Sequence, residues 1–77
     1  MSRLPRVTAK EVVKVLEKAG FQLARQSGSH AIYKNAAGLR ATVPMHASEI
    51  LHPKVLTRII DSMGVTVDEF IARLNDL

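Results

Sequence analysis

The apolar residues of this 77-residue chain change period twice, and that change limits the fold more than any other feature. Ala9, Val12, Val13, Leu16 and Ala19 recur at helical spacing. From Phe21 the chain alternates instead, with Phe21 and Leu23 on one parity and Gln22 and Ala24 on the other. Gly20 stands between the two regimes, where a left-handed residue ends a helix without a Cβ clash. The helical period returns in Val55, Leu56, Ile59, Ile60 and Met63. Such a chain needs a sheet and a layer of helices to cover it.

Turn and cap chemistry places the boundaries. Thr8-Ala9-Lys10-Glu11 forms a capping box, and a helix runs from about Ala9 to Ala19 with Lys10, Lys14 and Lys18 in a row on another face. Phe21 to Gln26 reads as a strand. Beyond the Ser27-Gly28 turn come two more, His30 to Lys34 and Leu39 to Val43, joined by Asn35-Ala36-Ala37-Gly38. Met45 to His52 is irregular, with Ser48, Glu49 and His52 in turn and cap roles. Pro53 then suits a first helical position, and the second helix spans Pro53 to Met63 before Gly64. Thr66-Val67-Asp68-Glu69 repeats the capping box, with Phe70, Ile71 and Leu74 giving a short last helix an apolar side. The order α, β, β, β, α, α predicts one α+β domain over residues 1–77: a three-stranded antiparallel sheet with the two main helices on one face.

Composition narrows the function classes. With no cysteine, a disulfide framework, a thiolate zinc site and a cysteine nucleophile are excluded, and a reducing cytoplasm is the expected compartment. No apolar run spans a bilayer and no hydrophobic signal core precedes the domain, so neither a membrane protein nor an export is expected. Residues 1–60 carry ten basic and three acidic side chains, residues 61–77 one and four, so a body of +7 precedes a tail of −3. A basic body is suited to a polyanion, of which nucleic acid is the commonest.

Strand parity decides which way His30 faces. If a type I turn closes the second hairpin with Gly38 in a left-handed bulge, Ala31 and Tyr33 share a face with Leu39, Ala41 and Val43. His30, Ile32 and Lys34 then share the other with Arg40 and Thr42. A two- or four-residue loop reverses this and sends His30 coreward. Gly38 at the third loop position favours the bulged register.

At the entrance of its strand, after Ser27-Gly28-Ser29, the His30 imidazole is placed to exchange protons near neutral pH; the alternative is an ordinary half-exposed histidine. His46, Glu49 and His52 lie three apart, but without helical regularity their side chains have no reason to converge on a metal. Tyr33 is the only tyrosine and there is no tryptophan, so a base-stacking platform is poor and recognition rests on backbone charge. No phosphate-cradling glycine loop, carboxylate pair or Ser-His-Asp order is present.

Taken together, five segments resemble the HicA toxin family of small mRNA interferases: Leu4-Pro5-Arg6-Val7-Thr8 leading into Lys10-Glu11-Val12, Leu16-Glu17-Lys18-Ala19-Gly20-Phe21, Arg25-Gln26-Ser27-Gly28-Ser29-His30, Thr42-Val43-Pro44-Met45-His46, and Leu56-Thr57-Arg58-Ile59-Ile60. The resemblance implies a double-stranded-RNA-binding-like αβββα fold, RNA cleavage, and inhibition by a HicB-type antitoxin. It also implies that His30, the histidine of Gly-Ser-His, is catalytic. Many relatives carry a second histidine directly after it, where this chain has Ala31, and a glycine before the leucine of the second helix, where it has Val55.

The expected chemistry is metal-independent endoribonuclease action with no cofactor, in which His30 takes the proton of a ribose 2′-hydroxyl. Lys10, Lys14, Lys34 and Arg40 are the expected RNA contacts, and Ser29 and His46 possible auxiliaries. No DNA contact is expected from this chain alone. The rival readings are a non-catalytic RNA-binding module with the same basic surface, and an interaction subunit whose apolar groups serve assembly.

Overall fold

The computed structural model describes residues 3–46 and 49–77, so Ser48 and its expected turn role lie outside the described residues. Its elements are α1 (Ala9–Lys18), β1 (Gln22–Ser27), β2 (His30–Lys34), β3 (Arg40–Pro44), α2 (Pro53–Met63) and α3 (Val67–Asn75). The sheet is antiparallel in the order β1-β2-β3. This is the expected αβββα, double-stranded-RNA-binding-like arrangement, extended by α3. Among the described residues no helix is long and apolar enough to cross a membrane.

The capping box at the head of α1 is complete. The Glu11 N–H donates to Thr8 Oγ1 (3.2 Å) and the Thr8 N–H to Glu11 Oε1 (2.9 Å), which satisfies two of the N–H groups a helix start leaves without partners. At the far end Gly20 adopts φ 92°, and its N–H donates to the Glu17 carbonyl (3.1 Å) while the Phe21 N–H reaches back to that of Leu16 (2.9 Å). This paired closure buries Phe21 beside the helix it terminates. Phe21 therefore belongs to the helix stop, and β1 starts one residue later than the alternation suggested.

The second hairpin settles the parity question. The Gly38 N–H donates to the Asn35 carbonyl (3.1 Å) in a turn that leaves Gly38 at φ 87°, and Asn35 Oδ1 accepts from the Leu39 N–H (2.8 Å). Ala31 pairs with Val43 and Tyr33 with Ala41, all four buried, as the bulged loop requires. Leu39 shares their parity and is 39% exposed, its side chain lying beside the Gly64 stop of α2.

The core lies between this sheet face and the three helices: Val12, Val15 and Leu16 from α1, Leu56, Ile59, Ile60 and Met63 from α2, and Phe70 from α3. Helices α1 and α2 pack against β3, α3 packs against α1, and β1 is left as an uncovered edge, so Leu23 is 52% exposed although it faces the helical side. Ahead of α1 and α2 the chain is tied by an antiparallel bridge of Thr8 with Ile50 and by the Leu51 N–H donating to the Val7 carbonyl (2.8 Å). Among the described residues, no helix covers the opposite face of the sheet.

Candidate nucleic-acid interface and active site

Residues directly paired across an antiparallel ladder project from the same face. The register therefore arranges the open face in three rows, Ser27-His30-Pro44, Arg25-Ile32-Thr42 and Gln22-Lys34-Arg40. All are exposed except the half-buried Ile32 and Pro44. The face holds three permanent cations and no carboxylate. The chain has no acidic residue at all between Glu17 and Glu49, so nothing from the strands or their turns can neutralise it.

His30 occupies the corner of this face, on the first residue of β2. Gly28 at φ 58° turns the chain into it, and Pro44, at the end of an edge strand where a missing N–H costs no ladder bond, lies opposite. The Met45 N–H donates to the Ser29 carbonyl, which holds the chain after β3 against the Gly-Ser-His turn, and the His46 N–H turns back to the Pro44 carbonyl (3.1 Å). Ser29, His30 and His46 are thus collected at one end of the sheet. An exposed imidazole there can accept a proton at one nitrogen while donating at the other.

Lys34 and Arg40 face each other at the opposite end. Pairing alternates along a ladder, and the bonds at Asn35–Leu39 and Ser29–Met45 make Lys34–Arg40 a pair without mutual hydrogen bonds, with Cα atoms only about 4.5 Å apart. Like charges so placed are destabilising. The fold carries this cost on a face that does no packing.

Arg25 joins them, a residue that alternation alone misses. Counting from Phe21 and Leu23, Arg25 falls on the core parity, but β1 slips its register between Leu23, opposite Tyr33, and Arg25, opposite Ile32. The extra residue, Ala24, turns Arg25 onto the open face. An arginine on the parity of two large apolar residues was the available signal.

Lys10 and Lys14 are not brought together with His30. They stand on the solvent side of α1, across the core from the open face, and Lys14 and Lys18 border a groove shared with Glu11, Glu17 and Leu74. The Lys18 ammonium donates to the Asp76 carbonyl (2.8 Å) at the end of α3, so it is part of the helix packing.

Tyr33 points coreward; burial first, and the Glu17 carboxylate second, push its phenol above the ordinary value, and it stays neutral near pH 7. His52 caps α2 by accepting the Lys54 N–H at Nδ1 (3.0 Å). Among the described residues no group of three or more His, Asp or Glu is gathered in metal-binding geometry.

No curated protein matches the sequence significantly. The family profile described as HicA toxin of bacterial toxin–antitoxin systems matches residues 9–65, from the first residue of α1 through α2 and its Gly64 stop, and so takes in every element that builds the open face. A match over nearly three quarters of the chain, on the fold that the resemblance implied, means that the protein belongs to the HicA toxin family.

Proposed function

We propose that this toxin is an mRNA interferase, an endoribonuclease that cleaves RNA without a metal by using His30 as the proton acceptor. The observation that carries the reading is the placement of His30: exposed, at the corner of an open sheet face with three cations and no acid. Such a face attracts a phosphate backbone. RNA supplies its own nucleophile, so the protein needs only to move protons and stabilise charge. His30 takes the proton from a ribose 2′-hydroxyl as that oxygen bonds to the adjacent phosphorus. The bond from phosphorus to the 5′-oxygen of the next nucleotide breaks, and that oxygen leaves with a proton from water or from His46 at the same end of the sheet. Arg40 and Lys34 hold the neighbouring backbone.

A free ribonuclease endangers its own host, and the antitoxin of this system is read as a HicB-type protein that covers His30 and the adjacent cations. A partner with an acidic contact surface is steered to such a face and competes with RNA for it.

His30→Ala tests the reading. The side chain is exposed, so truncation changes stability by no more than about 0.5 kcal/mol, the usual range for surface substitutions. Single-turnover RNA cleavage should drop by at least about 10²-fold, the low end for losing general acid–base assistance. A folded His30→Ala protein that binds and cleaves RNA at the wild-type rate removes His30 from the mechanism. A wild-type protein that binds RNA and generates no new ends makes the domain a binding module.

A further inference from the structure

β1 is an edge strand with one irregularity, the bulge between Leu23 and Arg25. A regular strand continuing from the Leu23–Tyr33 pair would set Ala24 opposite Ile32 and Arg25 opposite Ala31, on the helical side of the sheet. The bulge costs a ladder position and contributes nothing to the core, since every residue of β1 is exposed. It turns Arg25 and Ser27 onto the face of His30 and Gln26 onto the other, and of these Arg25 is the one that carries a charge. Bulges that re-aim a side chain in this way recur next to active sites.

Spacing then separates the three cations. Arg25 lies one strand over and two residues along from His30, a Cα separation of about 8 Å from standard strand rise and spacing. Lys34 and Arg40 lie four residues along, about 13–14 Å away by the same measure. Arg25 is therefore the cation of this face nearest the imidazole. Its planar fork, which Lys34 lacks, can engage two phosphate oxygens at once.

We infer that Arg25 holds the reacting phosphate beside His30 and stabilises the charge that develops on its non-bridging oxygens, while Lys34 and Arg40 bind phosphates further along the strand. The inference rests on the ribonuclease reading and adds to it the group that meets the growing negative charge. Arg25 transfers no proton. It donates N–H groups to the two non-bridging oxygens, and these bonds tighten as the 2′-oxygen attacks.

The discriminating variant is the exchange R25Q/Q26R. It preserves composition and net charge, and it moves the cation to the position opposite Ala31, on the other face of an exposed edge strand. A single-stranded RNA transcript is incubated with saturating protein, so that affinity drops out of the single-turnover rate. Wild type, R25Q/Q26R and H30A are compared, with melting temperature recorded for each. The exchange should cleave at least about 10²-fold more slowly than wild type at unchanged melting temperature, the usual loss for removing one charge-stabilising donor. An R25Q/Q26R protein that cleaves like wild type overturns the assignment even when H30A is inactive. A fully active H30A instead overturns the ribonuclease reading on which the assignment stands.

Discussion

Phe70→Ala tests whether α3, which lies beyond the segment matched to the family, is part of the domain or an appendage to it. Phe70 is 0% exposed and the bulkiest of the fully buried side chains. It belongs to the cluster that includes Val12, Val15 and Leu16 of α1, against which α3 packs. Removing a buried phenylalanine costs about 3–5 kcal/mol, the transfer energy of the ring plus the cavity left behind. A domain of 77 residues has about 4–12 kcal/mol in total at the usual stability per residue. The variant should therefore lose a large part of its stability. At about 4–8 °C per kcal/mol for a domain of this size, the smallest expected loss lowers the melting point by about 12 °C. Thermal unfolding followed by far-ultraviolet circular dichroism measures this. The open face is on the other side of the sheet, so well below its melting point the variant should cleave and bind RNA as wild type does. A melting point within about 4 °C of wild type, which corresponds to less than about 1 kcal/mol, would refute the claim that α3 completes the core.

Two further perturbations separate charge from packing. Lys34→Glu converts the like-charged Lys34–Arg40 pair into an opposite-charged one, so it should raise stability by about 0.2–1 kcal/mol while weakening RNA binding; a lower melting point would show that the pair is not a source of repulsion. Glu69, the acidic partner in the α3 capping box, has its carboxyl held below the ordinary value, first by the Thr66 backbone N–H (2.8 Å), then by the Thr66 hydroxyl. Because the depressed value belongs to the folded state, the stabilisation is present above the unfolded carboxyl value and is lost as pH falls through the folded one. Glu69→Gln keeps an oxygen for the Thr66 N–H and loses the titration, so its melting point should fall less steeply than wild type between about pH 5 and pH 3; an identical slope would detach Glu69 from acid stability.

The helices were legible because their signals are local and redundant. The second helix lies where Pro53 and Gly64 bracket the apolar stripe, and both capping boxes close as their spacing implies. The parity of His30 was legible for a related reason: Gly38 at the third loop position selects one turn geometry, and that choice propagates along both strands. The pattern misled at one local position and was silent on one matter that the fold decides. Phe21 alternates like a strand residue but is captured by the end of α1. Lys10 and Lys14 share a charge with Lys34 and Arg40 but not a face, which no count of charges reveals.

Arg25 shows why the site was less legible than the fold. Burial penalises a misplaced apolar residue, so core positions announce their parity, whereas an exposed edge strand loses little by slipping one residue. That tolerance is what allows a bulge at Ala24, and the bulge in turn brings the nearest guanidinium to His30. The open face shows the same logic at Lys34 and Arg40, where repulsion is accepted in the absence of a bound anion. Residues chosen for a ligand are not required to satisfy the packing of the free protein. The positions at which this chain departs from regular alternation and from charge balance are therefore the ones to test first on RNA.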